Sequence, residues 1–301
     1  MELKAYAPGI YPRSDALVRA TRDLDRGRVE QDAVDDQLER DLREFVAAQE
    51  RAGLALLSDG MLGWQDLFRP LAERADGLVA RPLTRFLDTN TFYRALLVDG
   101  KPRLADPVPA PELPAGRWLA TLPSPLALAR ATGGGASPLA LAASVLAPQI
   151  EAYAAAGCSL VVLADPFVAR EGGVGELLSS LGELPQRTPL ALQLPFGDAK
   201  PVLRELAEAP VQAVGVDFYA TSLDSVPEDY PKEIMAGVID SRSSALESPA
   251  EISAFVARLS QRSPAGLSLS VNGDLQFVPE GIAREKIARL GRSQTELRVV
   301  A

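Results

Sequence analysis

The stretch Pro189-Leu-Ala-Leu-Gln-Leu-Pro-Phe-Gly197 decides the fold. An apolar run meets one polar residue, Gln193, before Pro195 and Gly197 close it, which reads as a buried strand whose tip opens into a loop. The same pattern recurs on both sides. Downstream, Val211 to Val216 runs into Asp217-Phe218-Tyr219, Glu233 to Ile239 into Asp240-Ser-Arg242, and Leu267 to Val271 into Asn272-Gly-Asp274. Upstream, Cys158 to Leu163 ends in Ala164-Asp165-Pro166, and Arg117 to Leu122 ends in Pro123-Ser-Pro125. Leu54 to Ser58 ends in Asp59-Gly60, and Leu3 to Ile10 ends in Tyr11-Pro12-Arg13. Near-continuous apolar runs predict strands buried on both faces, as in a parallel sheet.

Helical periodicity fills most of the gaps. Ser14 caps a helix to Leu24, and Glu30 to Ala52 is amphipathic and closed by Gly53. Gly63 to Asp76, Ser137 to Ala156, Val174 to Leu181, Asp198 to Glu208 and Pro279 to Leu290 read the same way. Ser248-Pro-Ala-Glu251 has capping-box spacing and opens a helix to Gln261. Phe92 to Leu104 breaks the rhythm and reads as a β-hairpin with an Asp99-Gly100 turn. Gly133-Gly-Gly135 reads as a plain flexible loop. The predicted fold is α/β: one (β/α)8 TIM-barrel domain over residues 1–301 with a hairpin inserted near 91–104.

Composition bounds the chemistry. The chain has 301 residues, 47% of them apolar, enough for a large core. A net charge of −9 with no basic cluster argues against nucleic acid, and no apolar run nears a membrane span. One cysteine, Cys158, excludes a disulfide framework and fits a cytoplasmic protein. There is no histidine, which removes imidazole bases and makes a protein-built zinc site unexpected.

In a TIM barrel the site lies at the carboxyl ends of the strands. Asp217 and Asp165 are the candidate catalytic acids; as single residues they fit helix caps or turns equally well. Arg13 and Arg242 suit an anion or a structural ion pair. Asp59, Gln193, Asn272 and Asp274 are candidate ligand contacts. Tyr11 and Tyr219 are candidates to stack on a flat ring, although strand-end aromatics more often pack. Cys158 sits at a strand start and is read as a small core residue.

Several of these tips, in order, resemble the C-terminal catalytic half of cobalamin-independent methionine synthase and its short single-barrel relatives. The segments are Gly9-Ile-Tyr-Pro-Arg13, Gln49-Glu-Arg-Ala-Gly53 with Ser58-Asp-Gly60, and Ala156-Gly-Cys158 with Asp165-Pro166. They continue with Gly237-Val-Ile-Asp-Ser-Arg-Ser243, Glu247-Ser248, and Pro279 to Leu290 with Lys286. The resemblance implies methyl transfer to a thiol, usually homocysteine, from a folate or corrinoid donor, with zinc holding the thiolate. Yet the family's His-x-Cys pair aligns with Gln193 and Pro195, its last Cys with Gly273, and its ligand Glu near Asp217. The Glu that follows Asp-Gly is Met61, and Asp-Glu-Pro is Ala164-Asp165-Pro166. The expectation is a small-molecule barrel with no metal ligand set and altered or lost thiol methylation. Two alternatives stand beside it: a non-catalytic ligand-binding or partner protein, and a metal-free enzyme resembling uroporphyrinogen decarboxylase.

Overall fold

A computed structural model describes residues 3–300, with side chains for residues 3–294. The strands are β1 (Lys4–Tyr6), β2 (Ala75–Arg85), β3 (Phe92–Leu104), β4 (Trp118–Pro123) and β5 (Thr132–Gly133), then β6 (Cys158–Ala164), β7 (Leu190–Leu194), β8 (Ala213–Asp217), β9 (Glu233–Ile239) and β10 (Gly266–Val271). Seven of them form one parallel sheet in the order β1-β10-β9-β8-β7-β6-β4. The expected run from Leu54 to Ser58 is reduced to a single bridge, Leu57 to Trp118. Its backbone nevertheless reaches both edges of the sheet. Ala55 N–H donates to Ala5 O at 3.0 Å, and Leu57 N–H donates to Arg117 O at 2.9 Å. The sheet is therefore curled so far that one short segment touches both of its ends.

Two glutamines hold irregular backbone to the helices. Gln49 lies in the helix Gln31–Ala52 and is fully buried. Its Nε2 donates to Ser58 O at 2.8 Å, and its Oε1 accepts from Ser58 N–H at 2.9 Å. The side-chain amide thus replaces the strand neighbour that Ser58 lacks. Gln149, on the helix Ala147–Ala155, does the same for Val108 in the proline-rich connector, at 2.7 and 3.1 Å.

The curled sheet has its own interior layer, built from Tyr6, Leu119, Leu160, Val162, Ala191, Ala213 and Met235. Gly215 leaves room there for Met235: a Cβ would sit 2.7 Å from its terminal methyl and push that flexible end aside. The larger core lies outside the sheet, under the helices. Cys158 is buried at the start of β6, and burial pushes its thiol up to about 11.

The insertion is larger than expected. β2 and β3 form an antiparallel hairpin over residues 75–104, with its turn at Phe86 to Thr91. Asp99-Gly100 lies inside β3, where the register slips. Gly100 (φ 112°) and Gly77 (φ 73°) absorb that bulge. Gly133 is also ordered, pairing with Leu97 as β5. Of the helix predicted from Gly63 to Asp76 only Arg69–Glu73 forms: Asp66 accepts the N–H groups of Phe68 and Arg69 where the helix begins, and Ala75 already belongs to β2. Of Asp198 to Glu208 only Leu203–Leu206 is helical, after an Asp198 turn and Pro201. The long helix from Pro138 contains a π turn at Ala142–Leu146, just before Pro148. Pro148 has no N–H to give to the turn before it.

Gln49→Ala is expected to cost about 2–4 kcal/mol, since it strands a buried N–H and C=O together. Gln49→Glu also destabilises, because a carboxylate cannot donate to Ser58 O. Urea unfolding checks both, and a change under about 0.5 kcal/mol for Gln49→Ala would refute the role.

Candidate functional site

Parallel strands bring their carboxyl ends to one rim, and three ends meet there through a single amide. Asn272, just beyond β10, is 1% exposed. Its Nδ2 donates to Asp217 Oδ1 at 3.0 Å and reaches Asp240 Oδ1 at 3.4 Å. Its Oδ1 accepts from Ser241 N–H at 2.8 Å. Asp217, the last residue of β8, also accepts from Tyr219 N–H at 2.9 Å and, on Oδ2, from Phe196 N–H at 3.1 Å. Gln193 is buried beside them and donates to Val271 O at 3.0 Å. Burial raises the Asp217 carboxyl above its ordinary value, against the lowering effect of Asn272, backbone N–H groups and Arg242.

An aromatic ring covers this network. Phe196 follows β7, is 3% exposed, and adopts φ 63°, a left-handed backbone that costs an L-residue about 1 kcal/mol or more. Its ring lies where a side chain at position 273 would project: a Cβ on Gly273 would be 2.3 Å from Phe196 Cζ. Phe277 packs edge-on at 5.3 Å, and the Arg242 guanidinium lies 4.8 Å from the ring centroid. Arg242 also pairs with the exposed Asp88 at 4.0 Å.

The other candidates are dispersed. Asp165 is fully buried and caps the short helix Val168–Glu171, accepting from Phe167 and Val168 N–H at 3.0 and 2.8 Å, with Ser124 Oγ on its second oxygen. It performs the capping role, and burial raises its pKa. Tyr11 stacks on Phe45 at 4.1 Å and donates to Glu280 O at 3.4 Å, so its ring is spent on packing against the helices. Arg13 is half-buried and makes no ion pair or hydrogen bond among the described residues; burial lowers its pKa. Asp59 accepts from Met61 N–H at 3.0 Å and is raised by burial. Tyr219 is 52% exposed and lies outside the covered network, with its hydroxyl donating to Val238 O at 3.2 Å. Asp274 accepts from Ile10 N–H at 3.0 Å, tying the β10 tip to the β1 tip. Phe196, Phe277 and Asp240 belong to the site although the sequence reading did not single them out. The glycine at 273, facing a strand that ends in Phe, was the one available signal.

The donors do not fit zinc. Gln193 offers an amide already engaged with Val271, Pro195 has no donor atom, and the ring of Phe196 fills the space at Gly273. Asp217 has hydrogen bonds on both oxygens. No group of three or more His, Cys, Asp or Glu suited to a metal occurs among the described residues.

Burial raises the Asp274 carboxyl to about 6, above its unfolded value near 4. The folded state therefore binds that proton more tightly. Its contribution is fully present below pH ~4 and is lost as pH rises through about 6. Asp274→Asn is expected to be more stable than wild type at pH 8 by roughly 1–3 kcal/mol, with the gap closing below pH 4. Urea midpoints across that range test it; a pH-independent difference would rule it out.

No family model matches this chain. Over 67 residues it is 36% identical to the 5-methyltetrahydropteroyltriglutamate–homocysteine methyltransferase of Mycobacterium leprae, a match covering 21% of this chain and 9% of that protein. Its fold superposes on the B12-independent methionine synthase of Shewanella sp. W3-18-1, solved with selenomethionine, with a TM-score of 0.74 at 14% identity, over 100% of this chain and 98% of that one. A protein of Listeria monocytogenes assigned as a vitamin-B12-independent methionine synthase gives 0.73 at 16% identity, over 99% of both chains. A Methanosarcina mazei methyltransferase gives 0.59 at 12% identity, over 99% of this chain and 94% of that one. No described helix is long and apolar enough to cross a membrane. The curled parallel sheet with its covering helices is thus the fold of B12-independent methionine synthase, the family that the strand-end motifs resemble.

Proposed function

We propose that this chain is a methionine-synthase-like barrel, of methyltransferase ancestry, that works without zinc and has lost thiol methyl transfer at its axis. In this reading residues 54–58 are the eighth stave and the chain is one barrel domain. The single observation that carries it is Phe196, whose ring is seated in the space of a Gly273 side chain and whose N–H is bound to Asp217. Thiolate chemistry needs an open position at the metal or base. Here the one central carboxylate is 1% exposed and hydrogen-bonded on both oxygens. Asp217 then serves to knit β8 and β10 together and to hold the strained Phe196 backbone. An aromatic cap over the mouth favours a ligand-binding protein over a metal-free enzyme with a basic cavity, since Arg242 lies across the ring. A folate, corrinoid or thiol ligand would have to bind beside the axis.

Zinc is expected to leave the melting temperature unchanged, and homocysteine with folate or corrinoid methyl donors to give no methionine. A zinc-dependent rise in Tm that Asp217→Ala abolishes would overturn the reading. Phe196→Ala is expected to lower stability by about 3–5 kcal/mol. It should also leave methyl transfer absent, because uncovering Asp217 supplies no thiolate ligand. Methionine formation by this variant with added zinc would mean that the aromatic cap alone had been blocking a working site.

A further inference from the structure

A groove of about 410 Å³ lies off the axis, between the tips of β8 and β9 and the helix Pro249–Ser260. That volume suits a small organic ligand. One side is aromatic: Phe218 packs on Phe255 at 4.9 Å, and Tyr219 stands half-exposed beside them. Asp240, Glu247 and Glu251 add an acidic part to the lining, with the Tyr219 hydroxyl 3.5 Å from Glu247 Oε1.

Each acid keeps acceptor capacity. Glu247 Oε1 takes Lys286 Nζ at 2.7 Å and Asp240 N–H at 2.8 Å, while Oε2 is buried and has no partner. The Glu247 side chain is 9% exposed, so this is a buried carboxylate with half of its hydrogen-bonding unmet. Asp240 uses Oδ1 for Arg242 N–H and Asn272; its Oδ2 accepts nothing among the described residues. The Glu251 carboxylate makes no ion pair or hydrogen bond among them. Three negative charges face one buried lysine and the positive end of the helix, worth ~0.5 charge, leaving roughly −1.5. Partial burial, then the charges of Glu247, Asp240 and Asp217, raise the Tyr219 phenol above its ordinary value. These acids form no group suited to a metal ion among the described residues.

We propose that this groove binds an organic cation, an amine or quaternary ammonium on an aromatic or branched apolar body. The charged head lies against Asp240, Glu247 and Glu251, and the body lies between Phe218, Phe255 and the Tyr219 ring. Aromatic faces and carboxylates both favour a diffuse, weakly hydrated cation. The groove shares Asp240 with the axial network, but Phe196, Gly273 and Asp217 do not line it, so the proposal stands whether or not the axis retains chemistry.

Calorimetric titration with benzyltrimethylammonium tests it directly. The expected result is saturable binding that weakens with added salt, with no binding of 3-phenylpropionate, which carries the same ring on an anion. Benzyl alcohol, the neutral counterpart, is expected to bind at least about tenfold more weakly than the cation. Glu251→Gln and Tyr219→Leu alter exposed side chains, and each is expected to weaken the cation by about three- to tenfold. Absence of saturable binding, equal binding of benzyl alcohol, or unchanged affinity in both variants would overturn the proposal. The three-ligand comparison on the unaltered chain decides it even if a variant fails to fold.

Discussion

The ring of Phe196 and a side chain at position 273 compete for one point in space, and the glycine lets the ring have it. Much of the rim follows from this. The ring can reach the axis only if its backbone takes φ 63°, and that backbone is held by the bond from Phe196 N–H to Asp217. Asp217 can stay buried only while Asn272 and two backbone N–H groups satisfy it. Asn272 in turn joins β10 to β8 and reaches the β9 tip through Asp240 and Ser241. Strain in one residue is thus offset by the hydrogen bonds that satisfy Asp217 and Asn272 beside it.

The same economy of amides appears elsewhere in the fold. Irregular backbone beside the sheet leaves groups without strand neighbours, at Ser58 in the closing segment and at Val108 in the proline-rich connector. Gln49 and Gln149 each present a donor and an acceptor in the geometry of a peptide, and each satisfies both groups of one residue. Position on a helix fixes where the amide points, so the short closing segment needs no long strand of its own to stay in place.

Closing the axis moves ligand-sized space outward. At the rim Asp217 and Asn272 are satisfied by their neighbours, whereas the groove beside β9 keeps a carboxylate oxygen with no partner and an exposed aromatic ring. The Lys286–Glu247 pair links these regions: a fully buried lysine neutralises one oxygen of the groove acid and also binds Ala245 O. Removing either partner of such a pair leaves a buried charge uncompensated, a far larger loss than any surface pair entails.

The apolar runs determined by themselves that the chain builds a parallel sheet, and their order fixed which tips share a rim. Burial on both faces demands such runs, and parallel strands demand helical crossovers, so both are written locally. The glycine closing the helix Gln31–Ala52 was legible for the same reason: its φ of 71° is a local requirement. Tertiary structure decided what the tips do. Asp165 and Asp217 are alike in sequence, each an acid after an apolar strand; one became a helix cap and the other the centre of a network, because their neighbours come from distant segments. Asp99-Gly100 became a bulge because Gly77 lies opposite it. Phe196 meets Gly273 across 77 positions of chain, a distance that no local pattern spans. Packing at the axis is a pairwise volume constraint between residues remote in sequence, and only the folded chain brings them together.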